Sequence, residues 1–211
     1  MNIHSGLVTT HGQKPVIPYA SRTEDKRECI LSAALDLFAE KGFHGTAVPE
    51  IAEHAGVAAG TIYRYFTSKE AIVNAIYQRQ KSQMLAAVMA DFPFQGEART
   101  QIHHFVSSVL TFARRYPLAF KFLELHHHAP YLDAKSREVE SSVVTMANEF
   151  VAQHERAKVL RKAPEGVLSS LVWGAIVGFV RAGWEKRADT GEKSEVAFEE
   201  AIWEAVRRPH E

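Results

Sequence analysis

Between Gly60 and Lys69 the chain carries Thr61, Tyr63, Arg64, Tyr65 and Lys69. These side chains can give hydrogen bonds and positive charge to phosphates or base edges. Nothing comparable supports catalysis: the sequence lacks a phosphate-cradling glycine loop, a zinc-protease helix motif and a nucleophile elbow. It is expected to be no enzyme and to need no cofactor. Histidines form the other chemical cluster, with His126, His127 and His128 consecutive and His103 and His104 upstream. Neighbouring residues on a helix point about 100° apart, so three in a row cannot share one ion without unwinding. They read as solvated or pocket-lining side chains, not as a metal site.

The stretch Thr46–Phe66 must position the polar group. Thr46 can cap a helix whose face is Val48, Ile51, Ala52 and Ala55. Pro49 falls in its first turn, where a missing N–H costs little. Gly56 suits a tight turn, and a second short helix is expected over about Ala58–Tyr65. Its lean start (Ala58, Ala59, Gly60) would let backbone approach a major groove, so the pair reads as a helix-turn-helix. The plainer alternative is a helical hairpin that only packs.

Gly42-Phe43, Thr46-Ala47-Val48, Ile51-Ala52, Ala55-Gly56-Val57, Gly60-Thr61-Ile62-Tyr63, Tyr65-Phe66 and Ser68-Lys69-Glu70 stand in one unbroken register. In this, Arg22 to Ile76 resembles the DNA-binding domain of TetR-family regulators; the remainder resembles the family only in length and helicity. The resemblance implies that the second helix reads bases while its flanks grip phosphate. Tyr63 would reach a base or phosphate, Tyr65 and Lys69 phosphates, and the Thr46 hydroxyl another. Arg64 would pair with guanine or bind phosphate. Ala58 and Ala59 depart from the family's polar or basic residues and leave methyl contacts only. Ile62 and Phe66 are expected to hold the head's core.

Charge sharpens this reading. Lysine plus arginine equals aspartate plus glutamate, 25 against 25. From Arg22 to Glu70 six basic side chains face eight acidic ones. A strong non-specific DNA binder, living on phosphate neutralisation, is disfavoured. Cys29 is alone and reads as a small, part-buried core residue. Without a charged start or apolar run, no signal peptide is expected. Leu171–Val180, the longest apolar stretch, is too short to span a bilayer, so a cytoplasmic protein is expected.

The expected fold is all-α with about nine helices: a three-helix head and a larger helical body. Residues 1–21 read as a disordered tail, 22–67 as the DNA-binding head and 68–211 as the effector-binding and dimerisation domain. Ser21 with Glu24 could open the first helix as a capping box. That helix buries Ile30, Ala33, Ala34, Leu37 and Phe38 and stops at Gly42. A fourth helix, capped by Ser68 and running to about Asp91, links head to body. Further helices are expected at about Glu97–Tyr116, Pro117–His127, Asp133–Arg161, Pro164–Arg187 and Ser194–Arg208.

A single head buries little surface, so a homodimer on a double-stranded, palindromic operator is expected. Leu171, Gly174, Ala175, Gly178, Ala182 and Gly183 form a small-residue face for the seam, joined by Ala201, Ile202, Ala205 and Val206 of the last helix. The alternative is an intramolecular core helix. Phe105, Phe112, Phe120, His126 and Trp173 are candidate walls of an effector pocket, as the resemblance implies. Ordinary core is the competing reading for that aromatic stripe. The functional expectation is a repressor released by an apolar or amphipathic small molecule. The rival keeps the DNA-binding head but docks a protein partner.

Overall fold

The structure is a computed structural model that describes residues 19–209, with side chains from Lys26 onward. Among these residues it forms nine α-helices, one short 3-10 turn and no strand. Helix α1 runs Tyr19–Lys41 and buries Ile30, Ala33, Ala34, Leu37 and Phe38, the face its spacing predicts. Ser21 lies inside that helix and does not open it. Of the expected tail, residues 1–18 lie outside the described part, and 19–21 already belong to α1. Gly42 stops α1 in the left-handed region at φ 70°, where a Cβ would be strained.

Helix α2 spans Val48–His54 and buries Ile51 and Ala52. Its cap is Ala47, not Thr46. The Thr46 hydroxyl instead donates backward to the Gly42 carbonyl at 2.9 Å, tying down the end of α1. Gly56 at φ 65° turns the chain into α3, which is helical only over Ala59–Ile62. Tyr63 to Tyr65 continue as a turn, held by Arg64 N–H to the Thr61 carbonyl and Tyr65 N–H to the Ile62 carbonyl. The expected second helix is thus half its predicted length. Phe66, buried with Ile62, anchors the turn and leads the chain out toward α4.

Helix α4, Lys69–Met89, is capped by Ser68 as expected, through Ala71 N–H to the hydroxyl at 3.2 Å. The body continues with α5 (Ala98–Arg115), α6 (Pro117–Leu125), the 3-10 turn Ala129–Tyr131, α7 (Ala134–Arg156), α8 (Val167–Trp184) and α9 (Glu192–Val206). Each lies within a few residues of its expected span. Cys29 is exposed, against expectation. It sits on the solvent side of α1, one position before Ile30 enters the core, and a 100° step separates those faces.

One apolar core runs from head into body. Phe38 of α1 meets Phe122 of α6 at 6.3 Å between ring centroids. Helix α9 packs on α5 through buried Ile202 and Val206, and the pairs Arg99–Glu200, His103–Glu199 and Arg114–Glu195 line the same contact. Helix α8 differs. It is longer than the apolar run in the sequence suggests, and by length and composition alone could cross a membrane, yet only 17% of it is buried.

Removing a ring from the head–body core leaves a cavity at its centre. Phe122→Ala should lower the unfolding free energy by about 3–5 kcal/mol in urea titration. Phe94→Ala, at a side chain 63% exposed on the α4–α5 turn, should stay within about 0.5 kcal/mol of wild type.

Candidate nucleic-acid interface

The α2–turn–α3 unit presents a small, nearly uncharged face. Ala58, Ala59 and Gly60 are exposed, and a Cβ built on Gly60 would meet nothing within 4 Å. Tyr63 stands 58% exposed beside exposed Arg64, while Thr61 and Tyr65 are half-buried. Ile62 between them is buried, so it sets the height of the face without joining it. Alanine caps both short helices, and no side chain claims their first N–H groups. Part of the head's charge is already engaged, since Lys41 pairs with Glu50 and His54 lies 3.4 Å from Asp36.

Two predicted contacts are placed differently. Thr46 is 1% exposed with its hydroxyl committed to Gly42, so its side chain is withdrawn from phosphate. Lys69 is half-buried. Its ammonium donates to the Phe43 carbonyl at 2.7 Å and the Thr46 carbonyl at 2.9 Å, and lies 4.0 Å from the Phe43 ring centroid. One of its three donors is left for any outside partner. Its main work is to fasten the α1–α2 loop to α4.

That fastening belongs to a larger joint behind the face. The Phe43 ring stacks on Tyr131 at 3.8 Å, and the Tyr131 hydroxyl is 2.6 Å from His44 Nε2. Buried Asn74 donates to the Glu70 and Tyr131 carbonyls and accepts from Asp133 N–H, each at 2.8 Å. His126 Nε2 donates to the Ala39 carbonyl of α1 at 3.0 Å, so His126 joins head to body. A Cβ on Gly42 would approach His126 Nδ1 to 3.4 Å, which helps explain the glycine there. Sequence reasoning missed Asn74 and Tyr131, because their partners lie 57 and 87 residues away.

In the body, Phe112 and Phe120 are fully packed core, the plainer of the two readings. Phe105 and Trp173 remain half-buried, 6.3 Å apart, beside a polar group that the sequence did not reveal. Lys81 of α4 pairs with Glu124 of α6 at 2.8 Å, both side chains nearly buried. Trp173 of α8 donates its indole N–H to the other Glu124 oxygen at 2.9 Å, and the Lys81 ammonium is 5.6 Å from the Trp173 ring. Tyr77 adjoins Lys81; burial first, then Glu140 and Glu124, pushes its phenol well above the ordinary value. The available sign was an ammonium four residues after Tyr77 on an otherwise apolar helix face.

Of the expected seam, Leu171, Gly174 and Gly178 are exposed, and Ala175 and Ala182 are half-buried. Cβ atoms on Gly174 or Gly178 would meet nothing within 4 Å. Ile202 and Val206, 3% and 1% exposed, face α5 inside the protomer and leave the set. The last helix exposes Ala201 of the expected set, together with Val196 and Ala197. An i, i+4 pair shares a face but does not say which face turns outward.

Two family models match. "Bacterial regulatory proteins, tetR family" covers residues 30–76, and "Tetracyclin repressor-like, C-terminal domain" covers 77–208. The chain is 28% identical over 207 residues to the HTH-type transcriptional regulator RutR of Escherichia coli O157:H7, covering 96% of this chain and 94% of RutR. A TetR family transcription regulator from Marinobacter aquaeolei VT8 has the same fold, with TM-score 0.79 at 21% identity over 90% of this chain and 100% of that one. FadR of Bacillus subtilis, solved with stearoyl-CoA, has TM-score 0.65 at 20% identity over 84% and 95%.

The joint also contains an acid-sensitive residue. His128 is buried, its Nε2 donates to the Phe122 carbonyl, and its Nδ1 has no partner. Burial holds its pKa below the ordinary 6.5; the Phe122 bond and Glu124 oppose this, and His126 and His127 add to it. Burial lowers His154 likewise. A base whose pKa falls on folding binds fewer protons in the native state. Its contribution is complete above 6.5 and is lost as pH falls through the lower folded value. Urea midpoints should therefore drop on acidification below 6.5, and His128→Gln should flatten that drop.

Proposed function

The chain belongs to the TetR family of bacterial regulatory proteins, and from that we propose that it is a homodimeric repressor, released from its operator by a small molecule. The observation that carries this reading is the pairing of two uncovered surfaces on one rigid body. One is the Ala58–Arg64 face, and the other is the glycine-bearing side of α8. Two copies joined along α8 and α9 would present two recognition units to successive major grooves, about 34 Å apart. Within each unit Gly60 permits close backbone approach, Thr61 and Tyr63 offer hydroxyls, and Arg64 takes guanine or phosphate. Tyr65 and the remaining Lys69 donor complete the phosphate grip.

The apolar surface of α8 supports a second protein copy over lipid. Gly174 and Gly178 let two backbones approach closely, and the exposed Leu171 beside them supplies the apolar contact. The effector would enter beside Phe105 and Trp173. Apolar walls with one polar anchor suit an amphipathic molecule. Lys81–Glu124 binds α4 to α6, and α1 of the head packs on both helices. A ligand that fits better when α4 and α6 are shifted would favour a head spacing that no longer matches DNA. FadR, a fold neighbour, holds stearoyl-CoA, which is amphipathic. Similarity to RutR extends across the body as well as the head, and this supports the regulator over a protein-docking adaptor.

Tyr63→Ala and Arg64→Ala should each weaken binding to the chain's own upstream DNA at least about fivefold in a mobility-shift titration, given about 1–3 kcal/mol per base contact. Unchanged sequence-specific affinity would remove these residues from the interface. Gly174→Leu with Gly178→Leu should leave the protomer folded, because open space surrounds both positions, yet shift sedimentation from dimer to monomer. A persistent dimer would place the seam elsewhere.

A further inference from the structure

At the end of the body farthest from the DNA face, three chain segments line an open cleft of about 370 Å³. Arg99 at its rim follows the α4–α5 turn, so the length of α4, 21 residues or about 30 Å, separates it from the head. Among the described residues that line it are the cations Arg99, Lys158, Arg207 and Arg208 and the carboxylate of Glu204. Trp203 and Val159 supply an apolar wall.

The walls are held firmly. After α9 the chain forms an antiparallel bridge between Leu160 and Arg207. Arg161 N–H donates to the Val206 carbonyl at 2.9 Å, and Arg208 N–H to the Val159 carbonyl at 2.8 Å. The Arg161 guanidinium donates to the Glu204 carbonyl at 3.0 Å, and Leu160 is buried beneath. Arg99 holds Glu200 from outside the cleft and Arg207 holds Glu204. Among the described residues no carboxylate pairs with Lys158. Lys158 sits at φ 60° in the turn that follows α7.

We infer that this cleft binds a small organic anion: a planar ring bearing a phosphate or carboxylate group. The anionic group would lie among Lys158, Arg99 and Arg207, with arginine forks suited to two oxygens at once. The ring would rest against Trp203 and Val159. The volume fits one such molecule, within the usual range for ligand clefts. The position excludes operator DNA, which meets the opposite end of the molecule. The inference stands apart from the effector site beside Phe105 and Trp173 and does not depend on it.

Isothermal titration of the full chain with adenosine monophosphate, salicylate and inorganic phosphate tests it. Saturable binding of a ring-bearing anion is expected, and Lys158→Gln and Arg99→Gln, both exposed, should each weaken it about tenfold, the worth of one charge-assisted contact, without moving Tm. Preference for the nucleotide assigns a phosphate ligand; preference for salicylate assigns a carboxylate. Three results overturn it: no saturable binding of either ring compound, binding that both substitutions leave unchanged, or inorganic phosphate binding as tightly as the nucleotide.

Discussion

The packing of α1 against α6, while α4 leaves the same head, is the contact on which the rest depends. A three-helix unit of this size buries too little to orient itself on one connecting helix. Here the core passes through the junction by way of Phe38 and Phe122, and polar bonds surround that passage. Lys69 ties the α1–α2 loop to α4, Asn74 ties α4 to the segment before α7, and His126 ties the end of α6 to α1. These groups lie in partly buried surroundings, where an unmet donor or acceptor is costly, so they hold one arrangement in preference to many.

The same constraint would carry the proposed influence of the body over the head. Helices α4 and α6 hold α1 and also share the nearly buried Lys81–Glu124 pair, with Trp173 of α8 on the same carboxylate. A buried ion pair adds little net stability, but breaking it asymmetrically is expensive. It therefore suits a point where helix positions must be discrete. Movement beside Trp173 would reach the DNA face through packed side chains, without a flexible linker.

Charge limits what one head could hold by itself. With slightly more acid than base, and Lys41 spent on Glu50, it offers few phosphate contacts. In the proposed dimer, affinity would come from two close-fitting faces held at fixed separation. Helix α8 is largely uncovered, with glycines where the two backbones of that dimer would approach.

Local periodicity carried most of the fold. Apolar spacing, the Ser68 cap, the Gly42 and Gly56 turns and the breaks at prolines determined nine helices and their order, because each signal acts within a few residues. The exposure of Gly60, Tyr63 and Arg64, the residues proposed to meet DNA, was legible for the same reason. Thr46, Lys69 and His126 were not. Each is a polar group that could serve DNA or ligand, and the fold committed it to a backbone carbonyl, Ala39 for His126. Ile202 and Val206 had the right type for a seam and turned inward to α5. Sequence by itself determined which residues share a helix face. Which face meets solvent, core or a second copy was decided only by tertiary packing, since burial depends on neighbours brought together from distant parts of the chain.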